Sequence, residues 1–198
     1  MKNYKTIFGT HENKLNINRS IFIATITHVE NINEAKEFFK GISKKYNNAT
    51  HNCPAYRILE DKKIVEYFSD AGEPSGTAGR PIIGILKKYE LLNVAVVVTR
   101  YFGGIKLGIR GLIDAYSKSV EELIQNLEIV KLIAVPYYKI KLNYDKYGKA
   151  MQELHYKGFT ILNSTFDEEY AYIDLIGNGN LEGYEIIEKA TKYIKEAT

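Results

Sequence analysis

The 198-residue chain has one cysteine (Cys53), no tryptophan, and no apolar run longer than the five residues Val94–Val98. A lone cysteine excludes an intramolecular disulfide and fits a reducing, cytoplasmic setting. Five apolar residues fall far short of the roughly 20 that span a bilayer, so no membrane partner is expected. The opening MKNYKTIFGT lacks the apolar stretch of a signal peptide, so the N-x-S/T triplets at Asn18, Asn48 and Asn163 read as chance matches. A large excess of charge is also missing, with 27 Lys/Arg against 24 Asp/Glu. With 45% hydrophobic and 26% charged residues, the chain has the composition of a folded globular protein.

What the chain does have is glycine, concentrated in two places: SDAGEPSGTAGRPIIG (Ser69–Gly84) and VVVTRYFGGIKLGIRGLIDAY (Val96–Tyr116). Positive charge gathers there too. Residues 80–118 hold 7 Lys/Arg against 2 Asp/Glu, whereas residues 131–198 hold 9 against 10. A local basic patch is either a solvated surface or the electrostatic footprint of an anionic partner.

The periodicity predicts a strand over RSIFIATIT (Arg19–Thr27). An amphipathic helix with an asparagine N-cap follows in NINEAKEFFKGISKKY. CPAYRIL and KIVEYFS form a hairpin across the charged turn EDKK. Pro81 belongs in the first turn of a helix capped by Ser75 or Thr77. LNVAVVVTRY is a central strand buried on both faces. A long helix over Leu112–Leu127 then carries a stripe of Leu112, Tyr116, Val120, Leu123 and Leu127. Pro136 marks an edge, bulge or linker, and divides a domain of residues 1–133 from one of residues 134–198. The second reads as β-α-β-β-α, the ferredoxin-like order without its last strand, with its final helix in LEGYEIIEKATKYIKEA.

Bare backbone at Gly76, Gly79, Gly103, Gly104, Gly108 and Gly111 can approach a ligand closely, and both loops lead into helix N-termini that favour anions. Arg80, Arg100, Lys106 and Arg110 supply complementary charge, Thr77 a hydroxyl, and Tyr101 and Phe102 rings that either stack on bases or join the core. Neither loop matches G-x-G-x-x-G or a P-loop, so the glycines serve either an anion cradle or tight turns and close packing. Asp70 and Glu73 are an acid–base pair, metal ligands or turn caps, and an enzyme would use His51 with them. His51 and Cys53 share a strand face, but two ligands make no zinc site. No cofactor or metal motif is present.

The blocks FSDAGEPSGTAGRPIIGIL, VVVTRYFGGIKLGIRGLIDAY and ATHNCPAYRI closely resemble the signature blocks of the IMPACT/YigZ family, and the likeness spans almost the whole chain. Three positions depart from the pattern: Pro54, Arg110 and Asp114, the last two placed to pair at i,i+4. The resemblance implies an α+β fold, with an N-terminal ribosomal-protein-S5 domain-2-like domain followed by a small ferredoxin-like domain. It also implies association with RNA or the ribosome, since both folds recur in translation factors. Eukaryotic members regulate translation under amino-acid starvation through protein partners. Three functions follow. The first is a non-catalytic, translation-linked binding protein that contacts RNA or the ribosome through the glycine-rich basic surface. The second is a regulator that binds only protein partners. The third is an enzyme that acts on a small anionic ligand with Asp70, Glu73 and His51.

Overall fold

The computed structural model describes residues 3–60 and 63–196. It is a mixed α+β protein with two sheets and four α-helices. One compact unit spans Tyr4–Lys131, and the other begins at Leu132 and includes Asn3.

The first unit opens with the short strand β1 (Tyr4–Thr6). Its sheet is built from β2 (Thr10–Ile17), β3 (Ser20–His28), β4 (His51–Glu60), β5 (Lys63–Phe68) and β6 (Val94–Tyr101), in the order β2-β3-β6-β4-β5. All neighbours run antiparallel. The turn residues Asp61 and Lys62 lie outside the described residues. β6 sits at the centre and is buried on both faces over Val94–Arg100, which explains its unbroken apolar run.

Helix α1 (Ile32–Lys45) covers one face of the sheet. Its start is fixed by Asn31, whose side chain accepts from the Glu34 amide while Glu34 reaches back to the Glu30 amide. The opposite face carries α2 (Gly79–Lys88) and α3 (Gly108–Gln125). Alternation along the strands sorts the core: Phe22, Ala24, Cys53, Ala55, Val96 and Val98 face α2 and α3, while Tyr56, Ile58 and Ala95 face α1. Along α3, Leu112, Tyr116, Val120 and Leu123 form the buried stripe, with Leu127 packed partly against it.

The second unit is a sheet of β7 (Val130–Asn143), β8 (Thr160–Phe166), β9 (Tyr170–Ile176) and β10 (Glu185–Lys195), in the order β10-β7-β9-β8, with one helix α4 (Tyr147–Tyr156). Two sequence expectations are corrected here. The expected final helix is β10, a strand paired with β7 from Lys141 to Leu132, so the chain does supply a fourth strand and its second helix is absent. The spacing of Ile186, Ile187, Ala190 and Ile194 suits a helix, but this segment is also rich in β-branched and aromatic residues. Pairing along ten positions of β7 decides for strand. Pro136 does not break β7; it is carried within the strand opposite Thr191.

Candidate functional site

Strand register sets the site. Arg100 on β6 pairs with Phe22 on β3 and with His51 on β4, which places the three side chains in one row on the α3 side of the sheet. The Ser69–Gly79 loop passes over the end of that row and delivers Glu73. Arg100 Nη1 donates to Glu73 Oε1 at 2.6 Å, and the Tyr116 hydroxyl donates to the same oxygen at 2.8 Å. Arg100 and Glu73 are both buried, at 6% and 3% side-chain exposure, so this ion pair is screened little by water. The guanidinium lies between the rings of Phe22 and Phe102, each 5.4 Å away. Its Nε has no hydrogen-bond partner among the described residues.

His51 Nδ1 lies 2.9 Å from the Ala71 carbonyl, and its Nε2 is 3.8 Å from Glu73 Oε2. Beneath it, the Cys53 thiol donates to the Asp70 carbonyl at 3.1 Å and to the Tyr116 hydroxyl at 3.4 Å. Burial pushes the Cys53 thiol up to about 12; the Tyr116 contact pulls the other way, and the nearby Glu73 and Asp70 carboxylates add to the rise. The Tyr116 phenol is also driven far above its ordinary value, by burial first and then by Cys53 and Glu73.

Asp70 performs a different task. Its carboxylate accepts from the Gly76 amide at 2.8 Å, the Ala78 amide at 3.0 Å and the Gly79 amide at 2.9 Å. It therefore caps α2, in place of the expected Ser75 or Thr77; the Thr77 hydroxyl instead donates to the Pro74 carbonyl at 2.7 Å. Burial opposes ionisation of Asp70, but the three amides and the Arg80 charge outweigh it and hold its carboxyl below the usual range. The amides of Gly76 and Gly79 are thus already occupied by an internal anion.

Two glycines are explained by crowding. A Cβ on Gly103 would stand 2.0 Å from the Arg19 carbonyl oxygen, and one on Gly79 would stand 2.8 Å from Ser69 backbone atoms. Of the expected cations, Arg80, Lys106 and Arg110 are exposed, whereas Arg100 is buried and neutralised by Glu73. Arg110 and Asp114 form no ion pair among the described residues, so Asp114 does not neutralise the exposed Arg110. Tyr101 is half-buried, with its hydroxyl on Asn48, and Phe102 is 47% exposed. Among the described residues no side chain caps α3, whose first turn holds no acidic residue.

A cleft of about 470 Å³ opens at this point, lined by His51, Glu73, Arg100 and Phe102 and by the start of α3 from Lys106 to Ile109. Sequence reasoning proposed an acid–base set of Asp70, Glu73 and His51. Glu73 and His51 do meet at the cleft, while the Asp70 carboxylate is turned to the α2 amides. Tyr116, which binds Glu73 directly, belongs by its spacing to the core stripe and by resemblance to the second signature block; neither names its hydroxyl's partner. Among the described residues no helix is long and apolar enough to cross a membrane.

Fold and site together define a two-unit α+β protein with a buried Arg–Glu pair beneath an exposed basic and aromatic ridge. The family model described as the Impact N-terminal domain matches residues 18–124. The IMPACT family member YvyE of Bacillus subtilis is 40% identical over 172 residues, covering 87% of this chain and 79% of that protein. An IMPACT family member of Haemophilus influenzae is 30% identical, with 88% and 86% covered. A crystal structure of a hypothetical protein superimposes with a TM-score of 0.65 at 26% identity, covering 89% of this chain and 85% of that one. The chain belongs to the IMPACT family.

Proposed function

We propose that this chain is a translation-linked binding protein whose first unit contacts RNA, free or within the ribosome, through the ridge that carries Phe102, Lys106 and Arg110. The observation that carries the reading is the half-exposed Phe102 ring lining the same cleft as the exposed Lys106, with the exposed Arg110 in the first turn of α3. A base can stack on the ring while phosphates meet the cations and the free amides of the helix. The family resemblance supports the link to translation, because eukaryotic members regulate it. In the same reading the first unit is of the ribosomal-protein-S5 domain-2-like type. The second is ferredoxin-like, with the strand order β10-β7-β9-β8 and a turn where a second helix would stand. A purely catalytic role for Asp70 and Glu73 is less well supported, since one carboxylate serves α2 and the other serves Arg100 and Tyr116.

The test is binding to single-stranded RNA across a salt series. Each cation that meets a phosphate contributes about 0.7 to the slope of log K against log salt. The Lys106→Ala, Arg110→Ala pair should lower the slope by roughly 1.4, and Phe102→Ala should weaken binding without altering the slope. Unchanged binding in the triple variant removes the ridge, and no binding even at low salt removes RNA in favour of a protein partner.

A further inference from the structure

The cleft beside the ridge shares Lys106 with it and also holds polar groups of Glu73, His51 and Arg100 that phosphate contact on the ridge leaves unused. Glu73 Oε1 takes both Arg100 and Tyr116, but no hydrogen-bond donor reaches Oε2 among the described residues; His51 Nε2 stands 3.8 Å from it. A carbonyl only accepts, so His51 Nδ1 carries a proton toward Ala71, and Nε2 has no hydrogen-bond partner among the described residues. Two polar atoms with no hydrogen-bond partner among the described residues, 3.8 Å apart, therefore belong to residues lining the cleft. Lys106 and the first residues of α3 line the same cleft and supply donors suited to an anion. Arg100, nine-tenths buried and lining the same cleft, has an Nε that still lacks an acceptor. Phe102, Ile109 and Leu112 supply an apolar wall.

We propose that this cleft takes a ribonucleotide whose ribose carries a free 2′,3′-diol. One of the vicinal hydroxyls donates to Glu73 Oε2 and the other hydrogen-bonds with His51 Nε2, at the usual reach of about 2.8 Å. The phosphate lies toward Lys106 and the start of α3, and the base lies on the apolar wall. The cleft volume of about 470 Å³ suits a ligand of this size. Within an RNA only the 3′-terminal residue has both hydroxyls free, so this chemistry comes either from an RNA 3′ end or from a free ribonucleotide. The RNA-end source rests on the RNA-binding reading above; the free-nucleotide source does not.

The experiment uses the unmodified full chain. Anisotropy of a 5′-labelled oligoribonucleotide is compared with a 3′-hydroxyl and with a 3′-phosphate, alongside calorimetry with adenosine 5′-monophosphate and its 2′,3′-dideoxy analogue. Losing hydrogen bonds to a buried carboxylate should weaken binding about tenfold or more. A tenfold preference for the 3′-hydroxyl RNA supports the proposal with the RNA end as source; a diol preference confined to the mononucleotides supports it with a free nucleotide as source. No diol preference in either pair overturns the proposal, and equal, steeply salt-dependent binding of both RNAs would leave the ridge intact. In His51→Ala, which keeps the Arg100–Glu73 pair, the diol preference should fall away; its persistence there also overturns the assignment.

Discussion

Replacing Asp70 with asparagine tests whether the first glycine loop is an internal anion site. The carboxylate holds three backbone amides at 2.8–3.0 Å. In the variant one oxygen can still serve Ala78 and Gly79, but the new amide nitrogen faces the Gly76 N–H, so one bond is lost and two donors oppose each other. The negative charge at the start of α2 is lost as well. Loss of a helix N-cap costs up to about 2 kcal/mol and a bond to a charged group about 1.5–3 kcal/mol, and these overlap here, so about 2 kcal/mol is expected at pH 7. With a urea slope near 2 kcal/mol/M, the unfolding midpoint should fall by roughly 1 M, and amide exchange along α2 should speed up in parallel. The pH dependence supplies a second check. The Asp70 carboxyl is depressed in the folded state, so its contribution is fully present above the unfolded value of about 3.9 and is lost as pH falls through the lower folded value. The gap between the two proteins should stay constant from pH 8 to about 5 and close below about 4. Equal midpoints at pH 7, or a gap that persists undiminished at pH 2, would refute the capping role.

Glu73→Gln or Arg100→Met alone should cost about 3–5 kcal/mol, while the double variant should cost less than the sum, because neither charge is left buried alone; additive losses in thermal unfolding would show that the pair is not coupled. Gly103→Ala drives a methyl into the Arg19 backbone and should prevent normal folding, whereas Gly104→Ala, at φ +84 with open space around it, should cost only about 1–2 kcal/mol. Comparable soluble yield and melting temperature for the two would count against the close approach. The Cys53 thiol, raised to about 12, should resist alkylation at pH 8 in the native protein and react promptly once urea unfolds it; rapid native labelling contradicts its burial.

The sequence announced the elements whose pattern is set locally. The Asn31 cap and its Glu34 partner lie within a few residues of α1, and the unbroken Val94–Val98 run could only be a strand buried on both faces. β2 was missed because its residues alternate between intermediate and exposed, with little apolar signal. The identity of the α2 cap was out of reach because Asp70 lies six to nine residues before the amides it holds, beyond any short capping pattern. The burial of Arg100 depends on a partner 27 positions away, and composition cannot distinguish a surface cation from one neutralised inside. β10 was misread for the same reason, since only its pairing with β7 separates strand from helix.

The absence of a helix over β10 bears on how the protein behaves when concentrated. Among the described residues β10 and β8 each have one sheet neighbour, so both present a row of unpaired backbone groups. An exposed strand edge invites a neighbouring molecule to extend the sheet, and repeated extension leads to fibres. β10 breaks up its run with Glu185, Glu188, Lys189 and Lys192, which a strand laid alongside would have to accommodate. Exchanging these charges for valine or threonine should turn an edge that keeps molecules apart into one that recruits them.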